Sequence, residues 1–114
     1  MRRDDAYLLD VLLAARKVLA FVAGVSREEF ERSDLHQNAV IRPLEIIGDA
    51  ARQVSQQTRD ARPEIPWEQM IGMRNRLIHE YFRVDVRRVW DTIQNDLPRL
   101  ISLIEPLVPP EDEV

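Results

Sequence analysis

The chain has no cysteine, one lysine, two histidines and three glycines among its 114 residues. Without cysteine there is neither a disulfide framework nor a thiolate zinc site. Three scattered glycines leave no glycine-rich loop to cradle a phosphate. No His-x-x-x-His or carboxylate–histidine spacing suggests a metal, and no cofactor is expected. Long apolar runs are also missing. The longest are interrupted by Asp10, Gly24 or Pro43, well short of a membrane span. The opening Arg2-Arg3-Asp4-Asp5 leads into an amphipathic pattern rather than the apolar core of a signal peptide, so a cytoplasmic location is expected. A net charge of −4 argues against a general polyanion-binding surface.

What is present describes a soluble globular protein, 45% hydrophobic and 32% charged. Its length suits one core, and we expect a single helical domain over residues 1–108 followed by a frayed acidic tail, 109–114. The charge is unevenly spread. Between Arg74 and Arg88 five arginines face only Glu80 and Asp85, a local excess of +3 that leaves −7 for the rest.

The apolar spacing is helical throughout, with no strand-like alternation. Asp4 and Asp5 can cap a first helix running to Gly24, with Leu8, Leu12, Ala15, Val18, Leu19 and Val22 as its inner stripe. Ser26 to Glu29 reads as a capping box before a short helical turn that turns Phe30 inward. Ser33 or Asp34 opens a long helix to about Thr58, kinked at Pro43 and inward-facing at Val40, Leu44, Ile47, Ala51 and Val54. Gly48 on its inner side would admit another helix backbone. After the Arg62–Pro66 linker, Pro66 suits the first position of a third main helix. Asp85 is the expected cap of the last, which buries Val89, Trp90, Ile93, Leu97, Leu100, Ile101 and Ile104, kinks at Pro98 and ends at Pro109-Pro110. The fold class is all-α: an antiparallel bundle of four main helices plus a short helical turn.

Chemistry concentrates in one stretch, Met73-Arg74-Asn75-Arg76-Leu77-Ile78-His79-Glu80-Tyr81-Phe82. Histidine titrates near neutral pH, and arginine is a permanent planar cation matched to phosphate oxygens. Asn75 and Arg76 precede His79 by four and three residues and flank it on a helix. Arg74 and His79, five apart, would point about 140° from each other. They converge on one ligand only if the helix loosens near His79 or a second subunit completes the site, so a homodimer with the motif near its two-fold seam is expected. His36 reads as a solvated or capping residue. Glu45 and Asp49 share a helix face; they pair with Arg42 or Arg52, or else hold the arginine of the central stretch.

Arg74-x4-His79-x-Tyr81, preceded by Trp67-x3-Ile71-Gly72-Met73 and followed by Val84-Asp85-x4-Trp90, resembles the signature of the HepT-like branch of the HEPN superfamily. Ile41-Arg42-Pro43-Leu44-Glu45-Ile46-Ile47-Gly48-Asp49-Ala50 is similar to that family's other marker segment, and the likeness runs from Asp10 to about Leu107. The resemblance implies a HEPN-like helical homodimer and a metal-independent endoribonuclease, the toxin of a toxin–antitoxin pair. Carried over by position, Arg74 and His79 are its catalytic pair, Asn75 a supporting polar residue and Tyr81 the acceptor of AMP. The implied partners are an RNA substrate and an MntA-like nucleotidyltransferase antitoxin that silences the toxin by modifying Tyr81. Arg76 and Arg83 are candidate substrate contacts. The competing expectation is a non-catalytic helical module that docks a nucleotidyltransferase or binds a nucleotide.

Overall fold

The computed structural model describes residues 3–80 and 83–109. All regular structure among them is helical: α1 (Asp4–Phe21), α2 (Arg27–Arg32), α3 (Asp34–Gln53), α4 (Gln56–Ala61), α5 (Trp67–His79), α6 (Val86–Asp91) and α7 (Leu97–Ile104). A π-helical turn, Thr92–Asp96, joins α6 to α7, and a 3₁₀ turn, Glu105–Leu107, closes the last helix. The four main helices are therefore α1, α3, α5 and the composite α6–α7. Central α3 packs against α1 on one flank and α5 on the other, and α7 lies on α1. The acidic tail from Pro110 onward lies outside the described residues.

The inner stripes follow the predicted spacing, except that Leu19 and Ile101, expected inside, are only half-buried at the edge of the core. Leu8, Leu12, Ala15 and Val18 of α1 are buried, as are Val40, Leu44, Ile47 and Ala51 of α3 and Val89, Trp90, Ile93, Leu97, Leu100 and Ile104 of the last helix. Phe30 is fully buried; its ring centroid lies 5.2 Å from that of Trp90 and fastens α2 to α6. Such a pair contributes about 0.5–1.5 kcal/mol beyond area burial.

Helix starts follow side-chain chemistry. Ser26 accepts from the Glu29 amide, Ser33 from that of His36, Ser55 from that of Thr58, and Asp85 from those of Arg87 and Arg88. Each such cap stabilises by about 1 kcal/mol. His36 joins the second of these, with Nδ1 2.7 Å from Ser33 Oγ.

Several boundaries differ from the sequence reading. Asp4 and Asp5 do not cap α1; they occupy its first turn, and Arg3 is the cap residue. Gly24, at φ +77°, lies past the helix end at Phe21, in a turn that only glycine adopts without strain. Helix α3 stops at Gln53 rather than near Thr58, because Val54 is extended and Ser55 is captured from afar. Its amide donates to Asp4 Oδ1 (2.9 Å) and its hydroxyl to Asp4 Oδ2 (2.6 Å), with the Thr58 hydroxyl donating to the same oxygen. Ser55 then starts the separate helix α4. Pro66 is the residue before α5, not its first.

At Pro98 the last helix neither ends nor keeps its regular winding. Proline has no N–H to give and its ring crowds the carbonyl four residues back. The preceding turn widens, and the Leu97 amide bonds to the Thr92 carbonyl five residues back.

Candidate active site

Helix α5 carries the Arg74–His79 stretch, and its core face positions it. Trp67, Met70, Met73 and Leu77 are buried, one residue per turn, and Trp67 Nε1 donates to the Arg62 carbonyl (3.0 Å). On the side facing α3, Gly48 allows the two backbones to close up. A Cβ at position 48 would meet the Met70 carbonyl oxygen at 2.7 Å and Arg74 Cβ at 2.2 Å.

This approach delivers Arg74 to Asp49. Arg74 Nε donates to Asp49 Oδ1 at 2.6 Å, and Nη1 donates to Asn75 Oδ1 at 3.1 Å. Two of five guanidinium N–H groups are thus engaged, and the other three bond to no described residue. The arginine is only 23% exposed while Asp49 is 43% exposed. A pair this open to water is worth at most about 1 kcal/mol; its larger effect is to fix the guanidinium plane. Glu45 forms no ion pair with a described residue, so of the two α3 carboxylates only Asp49 holds the arginine.

His79 is the last residue of α5, exposed, and it makes no hydrogen bond to another described residue. The helix stays regular through it, since the Glu80 amide still bonds to the Arg76 carbonyl. Arg74 and His79 therefore keep the angular separation of an ideal helix, about 140° for five residues. The structure brings Arg74, Asn75 and Asp49 together and leaves His79 apart from them. Tyr81 lies outside the described residues.

Arg76 leaves α5 on another side. It lines a hollow between α5 and the last helix together with Arg83 and Arg88, and an adjoining hollow shares Arg76 and Arg88 and reaches Thr92 and Asp96 of the π turn. Sequence reasoning missed Arg88, Thr92 and Asp96, which come beside α5 only through the tertiary fold. Among the described residues no three metal-ligating side chains lie together, and no helix is long and apolar enough to cross a membrane.

The all-α bundle, with an arginine of α5 braced against central α3 and an exposed histidine at the end of α5, is shared with a known class by sequence. The family model described as Ribonuclease HepT-like matches residues 11–107. The chain is 42% identical over 106 residues to a Thermococcus cleftensis protein named "Probable ribonuclease HepT", covering 93% of this chain and 96% of that one. It is 38% identical over 105 residues to a Methanocaldococcus jannaschii protein named "Putative RNase MJ1380", covering 91% and 96%. No solved structure matches. The chain belongs to the HepT-like family of the HEPN superfamily.

Proposed function

We propose that this protein is a metal-independent endoribonuclease that works as a homodimer. The observation that carries the reading is the contrast within α5: Arg74 is braced by Asp49 and Asn75, and His79 is exposed, its imidazole bonded to no described residue. The family relationship supports RNA as the substrate.

The chemistry needs few groups. The substrate's own 2′-hydroxyl attacks the adjacent phosphorus and loses its proton to a base. The bond to the 5′-oxygen breaks, that oxygen takes a proton from an acid, and a 2′,3′-cyclic phosphate remains. Arg74 holds the non-bridging oxygens, on which charge builds up, with paired charge-assisted hydrogen bonds. His79 serves as the acid–base group. One imidazole cannot conveniently act as base and acid in the same step, so His79 of each subunit takes one role at a shared scissile phosphate. A regular α5, which separates Arg74 from His79 in one chain, fits the same arrangement.

The surface beside Arg74 suits the dimer seam. Asp49, Ile46 and Arg42 border one hollow, and Ile46 and Arg42 continue into a groove with Leu13 and Phe21. Leu13 is 43% exposed, Phe21 40% and Ile78, one turn from Arg74, 41%. A second copy would cover these apolar side chains.

In the cell the enzyme acts as the toxin of a toxin–antitoxin pair, and an MntA-like nucleotidyltransferase neutralises it by transferring AMP to Tyr81. A bulky anion two residues from His79 would occupy the phosphate site and repel RNA. Purified protein incubated with total RNA and a chelator tests the catalytic reading, with His79→Ala as control. Cleavage by the parent and none by the variant is expected; equal cleavage by both would overturn the assignment. For the switch, Tyr81→Phe should escape neutralisation by antitoxin and ATP, and full neutralisation of that variant would exclude Tyr81 as the modified residue.

A further inference from the structure

Most arginines here either pair or lie in open solvent. Arg74 has Asp49, Arg87 has Glu31 and Arg16 has Glu105. Arg76 is different. It is half-buried, and its guanidinium has no ion pair or hydrogen bond to any described residue. Arg83 and Arg88 line the same cleft and are likewise unpaired with any described residue, though exposed. Drawing a charge partly out of water without a partner costs free energy. Of the three, only Arg76 bears that cost; Arg83 and Arg88 add exposed positive charge beside it.

The cleft has the other properties of a nucleotide site. Its floor is apolar, with Leu44, Ile47, Met70 and Leu97, and its rim carries Thr92 and Asp96 from the π turn. π-Turns recur at functional sites because they push side chains out of the regular helix. The space, about 240 Å³, is slightly below the 300–1,000 Å³ or so of complete small-molecule pockets, a size for one nucleotide rather than a large ligand. It is also placed to continue a strand. Glu80, the residue after His79, lines one hollow with Arg83, and Arg76 and Arg88 line both this hollow and the next. Three carboxylates border the cleft: Asp85 is committed to the amides of Arg87 and Arg88, and Glu80 and Asp96 are exposed.

We infer that this cleft is a nucleotide subsite of the RNA substrate. Arg76 and Arg88 hold a phosphate next along the strand from the cleaved one, and its base lies over the apolar floor. The inference rests on the RNA-cleaving reading for the identity of the ligand, so its test is one of binding and not of cleavage.

The probe is a fluorescent single-stranded 2′-O-methyl oligoribonucleotide, which lacks the attacking hydroxyl, titrated into the full chain by anisotropy at several salt concentrations. Arg76→Gln with Arg88→Gln should weaken binding at least tenfold. It should also lower the slope of log affinity against log salt by about 0.7 for each phosphate that the variant leaves unneutralised. Arg99→Gln, at an exposed arginine outside the cleft, should change neither. The unaltered protein gives a second measurement free of folding effects: butanedione labelling of Arg76 and Arg88, read by mass spectrometry, should slow when the oligonucleotide is present. Unchanged affinity together with unchanged labelling would overturn the subsite. Adenosine monophosphate is the other arm. If it protects both arginines while the double variant keeps its RNA affinity, the cleft serves a free nucleotide and the RNA assignment fails. A parent that binds through the cleft yet cleaves no RNA would instead refute the catalytic reading and leave the subsite standing.

Discussion

Gly48 of α3 lies directly beneath Arg74 of α5, so close that a Cβ at position 48 would fall 2.2 Å from the arginine's own Cβ. The next residue, Asp49, then takes the Arg74 guanidinium at 2.6 Å. Helix approach and arginine placement are one feature. Alanine is the better helix former by about 0.5–1 kcal/mol, yet here its methyl would meet Arg74 Cβ and the Met70 carbonyl, and neither is the free end of a flexible chain. Gly48→Ala should destabilise the fold by about 1–3 kcal/mol and displace Arg74, measured as a lower denaturant midpoint together with reduced cleavage. A variant as stable as the parent would mean that α5 does not sit this tightly on α3.

Asp49→Asn separates placement from stability. An ion pair with one partner 43% exposed contributes within about 1 kcal/mol, so the unfolding midpoint should hardly move. Loss of the charged brace should let the guanidinium turn, and small misplacements of catalytic groups cost about 10- to 100-fold in rate. Single-turnover cleavage of a short RNA by the Asn variant measures this directly. An undiminished rate would show that Asn75 alone is enough to hold Arg74.

Asp4 ties the start of α1 to Ser55 and Thr58. Hydrogen bonds from the Ser55 and Thr58 hydroxyls, then from the Ser55 amide, hold its carboxyl below the ordinary value, against a smaller opposing effect of burial. A lowered folded-state pKa means stability that is full above the unfolded value of about 3.9 and disappears as pH falls through the lowered value. Asp4→Asn should therefore melt lower than the parent at pH 7, and the gap should close in strongly acidic buffer, where the parent's Asp4 is protonated too. Thermal melts of both proteins across that range test it; a gap independent of pH would show that the charge contributes nothing.

These residues also show what could be read without coordinates. The inner stripes of α1, α3 and the last helix are visible because burial and helical periodicity coincide at Val18, Ile47 and Ile93. Helix α4 was not legible: it has no buried residue, and it begins where it does because Ser55 meets a carboxylate 51 residues away. The π turn is hidden for a related reason. Pro98 announces a disturbance, but proline alone cannot say whether a helix will kink, stop or widen. Within the site, the sequence left open whether the helix loosens before His79, and α5 stays helical through it. Which of Glu45 and Asp49 reaches Arg74 depends on the packing that Gly48 permits.

The regularity of α5 leads to the last prediction. Because the helix neither loosens nor breaks before His79, the proposed mechanism needs two chains to aim Arg74 and His79 at a single phosphate. If the two imidazoles act as acid and base on one shared bond, a dimer with one wild-type chain and one His79→Ala chain lacks one of the two roles. Two affinity tags, one on each chain, allow that mixed dimer to be purified. Its cleavage rate should fall to the level of the His79→Ala homodimer. Chains that each carry a self-sufficient site would instead retain about half of the wild-type rate, and that result would refute the shared site while leaving His79 as a catalytic residue.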